Sequence, residues 1–416
     1  MRRLLASRRA SSTLALATWE RAAQSPHILN LGIGQPALSL LPGALVLETA
    51  ADLSGFDARH LLQYGSVSGS AHYTAAVASY LAEELGEPCD PGSLFATPGN
   101  SGGLALVTRA LTTPGDLVLM EEPSYFLAHQ IFRDYACTLL PAPQRASGAG
   151  TLDIDALDGA LRGAAAEGQP TPALLYCVPT GNNPTGNTMP DADRVRLVGL
   201  CAEHGVRIVA DDVYELLQWR MADAPKPLRW HARQQGVSAS VISLGSWSKL
   251  LGPGLRLGWV EADEAVLSAL AADGEVNSGS FTSPLVECLV SHMITRGAVK
   301  AHVDALRAAL ARRAALLADA INRELPDRAP PIVHAAPAGY FLWVDLRGVD
   351  ASELRDRCAA SHGVTFLPGA RCALDAAVAP SHARVCFAFL EEDDLVEAGR
   401  RLGRAIAQAW EVPARQ

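Results

Sequence analysis

The stretch VISLGSWSKLLGPGLRLGW, residues 241–259, decides the fold of this chain. Its first five residues have the apolar character of a strand buried on both faces of a sheet, and RLGWV at 256–260 has it again after a Gly-Pro-Gly turn. Lys249 lies between the two runs, just beyond the end of the first one. The stretch therefore predicts two buried strands and a loop that carries an amine.

Five similar apolar runs precede this stretch, each separated from the next by a longer segment of helical character. Such runs are typical of strands that helices cover on both faces. We therefore predict an α/β fold whose large domain has a seven-stranded, mostly parallel sheet covered by helices. The five runs are LFATP at 94–98, LVLME at 117–121, CTLLP at 137–141, ALLYCVP at 173–179 and RIVAD at 207–211.

The character of the sequence changes after about Ile294. Residues 300–324 have the periodicity of one long amphipathic helix, with Ala, Leu and Ile on one face and arginines on the other. PAGYFLWVDL at 337–346 and RVCFAFL at 384–390 then have the pattern of strands. The C-terminal third therefore predicts a smaller α+β domain.

Composition excludes several classes of protein. An apolar fraction of 49% with only 19% charged residues is too hydrophobic for a disordered chain. The net charge of −9 argues against nucleic acid as a partner, because binding to it depends on clustered cations. No apolar run approaches the length of about 18 residues that a membrane span requires. The eight cysteines have no zinc-site spacing, so we predict no metal and reduced thiols.

The first 24 residues have a basic composition of their own. They carry five arginines and no acidic residue before Glu20. This composition fits a mitochondrial transit peptide and fits a basic N-terminal arm equally well. The predicted compartment is therefore the cytoplasm or the mitochondrial matrix.

Lys249 has two interpretations. A lysine amine that is partly removed from water and close to cations has a lowered pKa, and such an amine forms Schiff bases with aldehydes. Ser246 precedes it by three residues and Arg256 follows it by seven. The alternative is an ordinary solvated loop lysine. Only three lysines occur in the chain, at 226, 249 and 300.

The sequence GNSGG at 99–103 has three interpretations. It matches the G-x-S-x-G turn of serine hydrolases, with Ser101 as the nucleophile. A glycine-rich turn into a helix also offers N–H groups and a positive dipole end to a phosphate. A plain turn without a ligand is the third possibility. This segment alone does not choose among them.

Further polar motifs follow other predicted strands. NPTG at 183–186 comes after ALLYCVP, and Asp211 and Tyr214 stand at the end of RIVAD and just beyond it. Ligands of open α/β sheets bind outside the carboxyl ends of the strands. We therefore expect the GNSGG turn, the NPTG turn, Asp211 and Lys249 to converge on one crevice.

In order and spacing, these motifs resemble those of the class I/II aminotransferases, which are pyridoxal phosphate (PLP) enzymes of fold type I. The resemblance extends from about residue 25 to the end, and a weaker similarity at 337–343 favours the aminoadipate, aromatic and kynurenine branch. The motifs are G-x-P at 34–36, YG at 64–65, PGD at 114–116, EPSY at 122–125, NPTG at 183–186, D-x-x-Y at 211–214, S-x-S-K at 246–249, PGLRLGW at 253–259 and R-x-x-F-A at 384–388.

The resemblance implies catalytic roles for several of these residues. Lys249 would bind the cofactor aldehyde and then move a proton as general acid and base. Asp211 would pair with the pyridine nitrogen and keep it protonated. Asn183 and Tyr214 would hydrogen-bond the ring oxygen, and Tyr125 would stack on the ring face.

It also implies a phosphate site. Asn100 and Ser101 would supply helix-terminal N–H groups, Ser246 a hydroxyl and Arg256 a charge. Tyr64 would reach the phosphate from the other subunit. The expected assembly is therefore a homodimer with shared active sites.

For the substrate, the resemblance places the α-carboxylate on Arg384, with Gly34 and Asn183 nearby. It implies a small domain of residues 25–54 and 300–416, and a large PLP-binding domain of residues 55–299. The predicted reaction is ping-pong transfer of an amino group from an α-amino acid to a 2-oxo acid, with 2-oxoglutarate as acceptor. The alternatives are a C–S lyase, a decarboxylase or an ACC synthase-like enzyme of the same fold and, more distantly, a serine hydrolase that uses Ser101.

Overall fold

A computed structural model describes residues 27–55, 57–145, 151–326 and 329–411. The basic segment of residues 1–24 lies outside the described residues. Strands β1 to β12 are Leu29–Asn30, Leu94–Thr97, Leu117–Met120, Thr138–Pro141, Leu174–Cys177, Arg207–Asp211, Val241–Ser246, Gly258–Glu261, Phe341–Asp345, Val364–Thr365, Leu367–Pro368 and His382–Cys386. Helices α1 to α14 are Gly43–Asp52, Ala58–Leu62, Ala71–Leu85, Gly99–Leu111, Phe126–Asp134, Ile154–Ala166, Asp191–Glu203, Leu228–Gln234, Glu264–Ala271, Gly274–Asn277, Pro284–Thr295, Ala298–Asn322, Ala351–Arg357 and Glu392–Glu411.

Strands β2 to β8 form one seven-stranded sheet in the order β2-β8-β7-β6-β5-β3-β4. Only β8 runs against the others, since it pairs antiparallel with both β2 and β7. Every residue of β5 and β7 is buried, as expected for apolar strands with helices on both faces. The predicted fold class, with seven mostly parallel strands, is confirmed.

The remaining strands form two small sheets. Strands β1 and β10 pair in parallel, and β11, β12 and β9 form an antiparallel sheet. The predicted long helix is α12, which packs along α14. The buried positions of α12 include Val299, Val303, Leu306 and Leu310, at the spacing of three and four residues that one helix face requires. The boundary between the two domains stays a prediction.

The direction of the strands brings several loops to one edge of the large sheet. Strands β2, β5, β6 and β7 run parallel, so the turns that follow them lie at the same edge. These turns carry the GNSGG sequence, the NPTG sequence, the end of RIVAD and Lys249. The fold thus brings together the segments that the sequence predicts to converge.

Membrane-spanning helices, metal-binding groups and disulfides were each sought among the described residues. None of their helices combines the length and apolar character that a membrane span needs. No group of three or more His, Cys, Asp or Glu side chains within the described ranges could bind a metal ion. The eight cysteines are free thiols, and seven of them are buried.

Candidate active site

Lys249 lies in the turn that follows β7, and its side chain is partly buried. Its Nζ donates a hydrogen bond to the carbonyl oxygen of Gly34 at 2.6 Å and lies 5.3 Å from the centre of the Tyr340 ring. Burial, together with the positive charge of Arg384, lowers the pKa of Lys249 to about 8, and the carboxylate of Asp211 opposes this shift. The amine is therefore far more available as a nucleophile and base than a solvated lysine.

Asp211 is the last residue of β6, and its carboxylate is buried between two donors. Its Oδ2 accepts a hydrogen bond from the Tyr176 hydroxyl at 2.7 Å, and its Oδ1 accepts one from the Asn100 amide at 2.5 Å. Burial raises the pKa of Asp211, and these two hydrogen bonds oppose the rise. The nearby charge of Lys249 also favours the ionised carboxylate.

The turn at Gly99 forms a cradle at the N-terminus of α4. Gly99 has a φ of +77°, and a Cβ added there would lie 3.5 Å from Nη2 of Arg256 and 3.6 Å from Oγ of Ser246. The residue before the helix, Pro98, provides no side-chain cap for the first N–H groups. Free N–H groups, a hydroxyl and a guanidinium thus surround one small space, which suits a phosphate.

The charge of Arg256 is available to an anion at this cradle. Its guanidinium donates hydrogen bonds to the carbonyl oxygens of Pro98 and Pro253, at 3.1 and 3.2 Å. No ion pair involving Arg256 is found within the described part of the chain. These carbonyl contacts orient the guanidinium without neutralising it.

Arg384 lies on β12 and is only 2% exposed. Its Nη1 donates to Oδ1 of Asn183 at 2.8 Å and its Nη2 to the carbonyl oxygen of Gly32 at 2.6 Å. Its guanidinium lies 4.2 Å from the centre of the Phe341 ring, and its buried Nε has no partner among the described residues. A buried arginine with an unused donor suits a carboxylate ligand.

Two tyrosines, Tyr214 and Tyr125, also line the site. Tyr214 is buried, with its ring 5.5 Å from that of Tyr340 and perpendicular to that of Phe341. Tyr125 precedes α5, and burial raises its pKa to about 12 although the Ser101 hydroxyl opposes the shift. The Ser101 hydroxyl thus contacts a phenol, whereas the base of the Ser-His-Asp triad is a histidine.

Among the predicted site residues, Tyr64 is the one that does not lie near the others within a single chain. It is 79% exposed, and its ring covers Gly279. Gly34 does reach the site, where its carbonyl oxygen accepts a hydrogen bond from Lys249. The backbone group that contacts Arg384 belongs to Gly32.

Sequence reasoning missed three contributors to the site. Tyr176 counts as an apolar residue of a buried strand, and no pattern marks its hydroxyl. Tyr340, which donates a hydrogen bond to the Lys249 carbonyl oxygen at 2.9 Å, lies in a segment predicted as a strand. For Asn100, the sequence predicted a role for its backbone N–H and did not reveal the contact of its side chain.

Known proteins match this chain over most of its length. The 2-aminoadipate transaminase of Thermus thermophilus is 30% identical over 385 residues, which make up 92% of this chain and 91% of that protein. Aromatic-amino-acid aminotransferase 1 of Thermococcus litoralis is 26% identical, over 92% of this chain and 89% of that protein.

A solved structure shows the same fold. The structure of LysN, an alpha-aminoadipate aminotransferase from Thermus thermophilus, superposes with a TM-score of 0.79 at 29% identity, covering 94% of this chain and 95% of that chain. That protein is complexed with N-(5′-phosphopyridoxyl)-L-leucine. Fold and site together define an α/β enzyme of PLP fold type I.

A protein-family model also matches most of this chain. The model of the class I and II aminotransferases matches residues 26–402, and the chain belongs to this family. Its cofactor is pyridoxal 5′-phosphate, and its reaction is transamination. The predicted family, cofactor and enzyme class are confirmed.

The residues present fit this cofactor. Lys249 offers an amine for its aldehyde, and Asp211 offers a buried carboxylate for its ring nitrogen. The cradle at Gly99, which a Cβ would partly fill, offers space and donors for its phosphate. Each chemical part of the cofactor thus has a counterpart at the same edge of the sheet.

Proposed function

We propose that this chain transfers the amino group of an α-amino acid to a 2-oxo acid, with 2-oxoglutarate as the acceptor. One observation carries the proposal: the buried Arg384, with an unused Nε donor, lies beside the amine of Lys249, whose pKa is about 8. Lys249 would hold the cofactor aldehyde to which the substrate's amino group is transferred, and Arg384 would bind the carboxylate that every α-amino acid carries beside that amino group. Because a 2-oxo acid carries the same carboxylate, Arg384 serves both halves of a ping-pong reaction.

The proposed roles of the residues around the ring follow from their positions. When bound, pyridoxal phosphate supplies a ring that accepts the electrons released when a bond at the substrate Cα breaks. Lys249 takes the proton from Cα and returns it, and Asp211 holds the proton on the ring nitrogen. Asn183 and Tyr214 hydrogen-bond the ring oxygen, and Tyr125 packs on the ring face.

The phosphate is held by the cradle at Gly99. The N–H groups of Asn100 and Ser101, the Ser246 hydroxyl and the Arg256 guanidinium bind its oxygens. The phosphate group itself takes no part in the transfer of the amino group, so this site would serve only to anchor the cofactor. It therefore keeps the cofactor in place while Lys249 is free to move protons.

A substrate panel tests the function. Purified protein loaded with pyridoxal phosphate is incubated with each of the twenty amino acids, aminoadipate or kynurenine, and either 2-oxoglutarate or pyruvate. We expect glutamate to form from 2-oxoglutarate with at least one donor. Release of ammonia, carbon dioxide or a cyclic product without glutamate would instead identify a lyase, a decarboxylase or an ACC synthase-like enzyme.

The same proposal includes a homodimer with shared active sites. Tyr64 is 79% exposed in the single chain, and large apolar side chains near it in sequence are exposed as well: Leu38 at 83%, Leu47 at 74% and Leu62 at 78%. Such a concentration of exposed apolar side chains is typical of a surface that another protein covers. A second copy of the chain that covers this surface could bring Tyr64 to the phosphate of its partner.

We expect Tyr64→Phe to lower the affinity for the cofactor about tenfold, because it removes one hydrogen bond to a charged group. Cofactor titration measures this loss. A hybrid dimer of one Tyr64→Phe chain and one Lys249→Ala chain shows which subunit supplies Tyr64. In this hybrid, only the Tyr64→Phe chain retains the Lys249 amine, so only its active site can transaminate. If that site needs the same cofactor concentration as the wild type, its Tyr64 is supplied by the partner chain. Dependence like that of the Tyr64→Phe dimer would refute sharing.

The proposed compartment is the cytoplasm or the mitochondrial matrix. Both keep thiols reduced, which agrees with eight unpaired cysteines. Fractionation of cells that express the chain with a C-terminal tag distinguishes the two.

A further inference from the structure

The side chain of Asn100 contacts a different part of the site from its backbone. Asn100 is the second residue of α4, so its N–H belongs to the uncapped first turn of the helix, beside the phosphate cradle. Its Nδ2 donates to Oδ1 of Asp211 at 2.5 Å and to the carbonyl oxygen of Leu244 at 3.0 Å. Both neighbours of this amide group are acceptors, so the NH₂ end must face them, and the contact has one possible orientation.

Asp211 needs such donors because it is buried. Its side chain is 5% exposed, and burial alone disfavours a carboxylate. Asn100 donates a hydrogen bond to one of its oxygens, and the Tyr176 hydroxyl donates one to the other at 2.7 Å. Neither donor carries a charge, so the two hydrogen bonds stabilise the anion without replacing the cation that it is meant to pair with.

We propose that Asn100 is a positioning residue, which keeps Asp211 ionised and correctly oriented so that the proton shared with the cofactor stays on the ring nitrogen. This inference rests on the proposed function. If the amide is removed, the carboxylate becomes more basic and takes the shared proton, and the ring becomes a weaker electron acceptor. The same residue also lies at the phosphate cradle, so it links the two anchored ends of the cofactor.

The length of the side chain explains why an asparagine is needed. A serine at position 100 would end one bond earlier and could not span the same gap to Asp211. An aspartate would have the right length but would place a second carboxylate against Asp211 and the Leu244 carbonyl oxygen. Asn100→Ser and Asn100→Asp therefore remove the donor in two independent ways.

The experiment uses the full-length protein loaded with cofactor that carries ¹⁵N in its ring. In the wild type, we expect the ¹⁵N resonance of a protonated pyridine. In Asn100→Ser, we expect it to move toward the unprotonated value, with kcat about tenfold lower and the KM for the amino donor changed less than twofold. Asn100→Asp should shift the resonance in the same direction, as should Tyr176→Phe, which removes the donor to the other oxygen.

Gln130→Ser is the matched control. Gln130 also donates its amide to a carboxylate, that of Asp134 at 2.6 Å, but the pair is exposed. In the Gln130→Ser variant, we expect the ¹⁵N resonance of the bound cofactor and the kcat to equal those of the wild type.

One result would overturn the inference, and it differs from failure of the proposed function. If both Asn100 variants lose stability or cofactor affinity while the ¹⁵N resonance stays at the wild-type value, Asn100 has only a structural role. If the resonance moves but kcat does not, the inference that Asn100 positions the proton is supported, and the protonation of the ring does not limit the reaction. If the wild type binds no cofactor at all, the proposed function itself is wrong.

Discussion

Replacing Lys249 with alanine is expected to lower the rate of transamination about 10⁴-fold, the upper range for loss of a general acid and base. The buried amine is the group that can take a proton from the substrate Cα, and alanine has none to offer. The phosphate cradle around Gly99 is untouched, so the variant should still bind pyridoxal phosphate, at least in part. Glutamate formation and the visible absorbance of the bound cofactor measure the two effects separately.

A second lysine provides the control. Lys300 donates to Glu84 at 2.9 Å, and its side chain is 41% exposed, so Lys300→Ala should keep wild-type activity. Borohydride should attach the cofactor to Lys249 in both the wild type and Lys300→Ala, and to no lysine in Lys249→Ala. Transamination by Lys249→Ala at an undiminished rate would contradict the proposed role.

Replacing Arg384 with lysine is expected to lower kcat/KM about 10²–10³-fold, mainly through KM. A lysine keeps the charge but has no planar fork with which to bind a carboxylate through two bonds. It also cannot reproduce the contacts to Asn183 and to the Gly32 carbonyl oxygen that orient the guanidinium. Steady-state kinetics with the best donor of the panel measure the effect.

The nature of the lost contact can be tested with a donor that lacks a carboxylate. For a simple primary amine, Arg384→Lys should be almost as active as the wild type, since neither enzyme has a carboxylate to bind. An equal loss with both kinds of donor would show that Arg384 acts on the fold and not on the substrate. Arg404→Lys, at an exposed ion pair with Glu324, is the matched control and should be neutral.

The strands of the large sheet could be predicted because burial on both faces leaves a direct trace in the sequence. All seven apolar runs are strands, and the long helix lies within two residues of its predicted start. The apolar pattern of Gly258–Glu261 does not show the direction of β8, because it is the same for a strand that runs either way. Its reversal follows from the short connection to β7, which leaves no room for a crossover helix.

The site could be predicted in part for a similar reason. Lys249 and Asp211 stand at strand ends, and the geometry of parallel sheets brings such ends together. The contact between Asn100 and Asp211 joins residues 111 positions apart, and only the packing of α4 against the sheet creates it. No local pattern shows in which direction a side chain at the start of a helix will point.

Because the chain has only three lysines, chemical modification of lysine can report on the site. At pH 8, about half of the Lys249 amines would be unprotonated, against fewer than about one in a hundred for an ordinary lysine. Lys300 titrates even higher than usual because of Glu84, and Lys226 donates its amine to a backbone carbonyl. A mild acylating reagent should therefore modify position 249 first, and bound cofactor should block it. Peptide mapping of three lysines would then report occupancy of the site before any substrate is known.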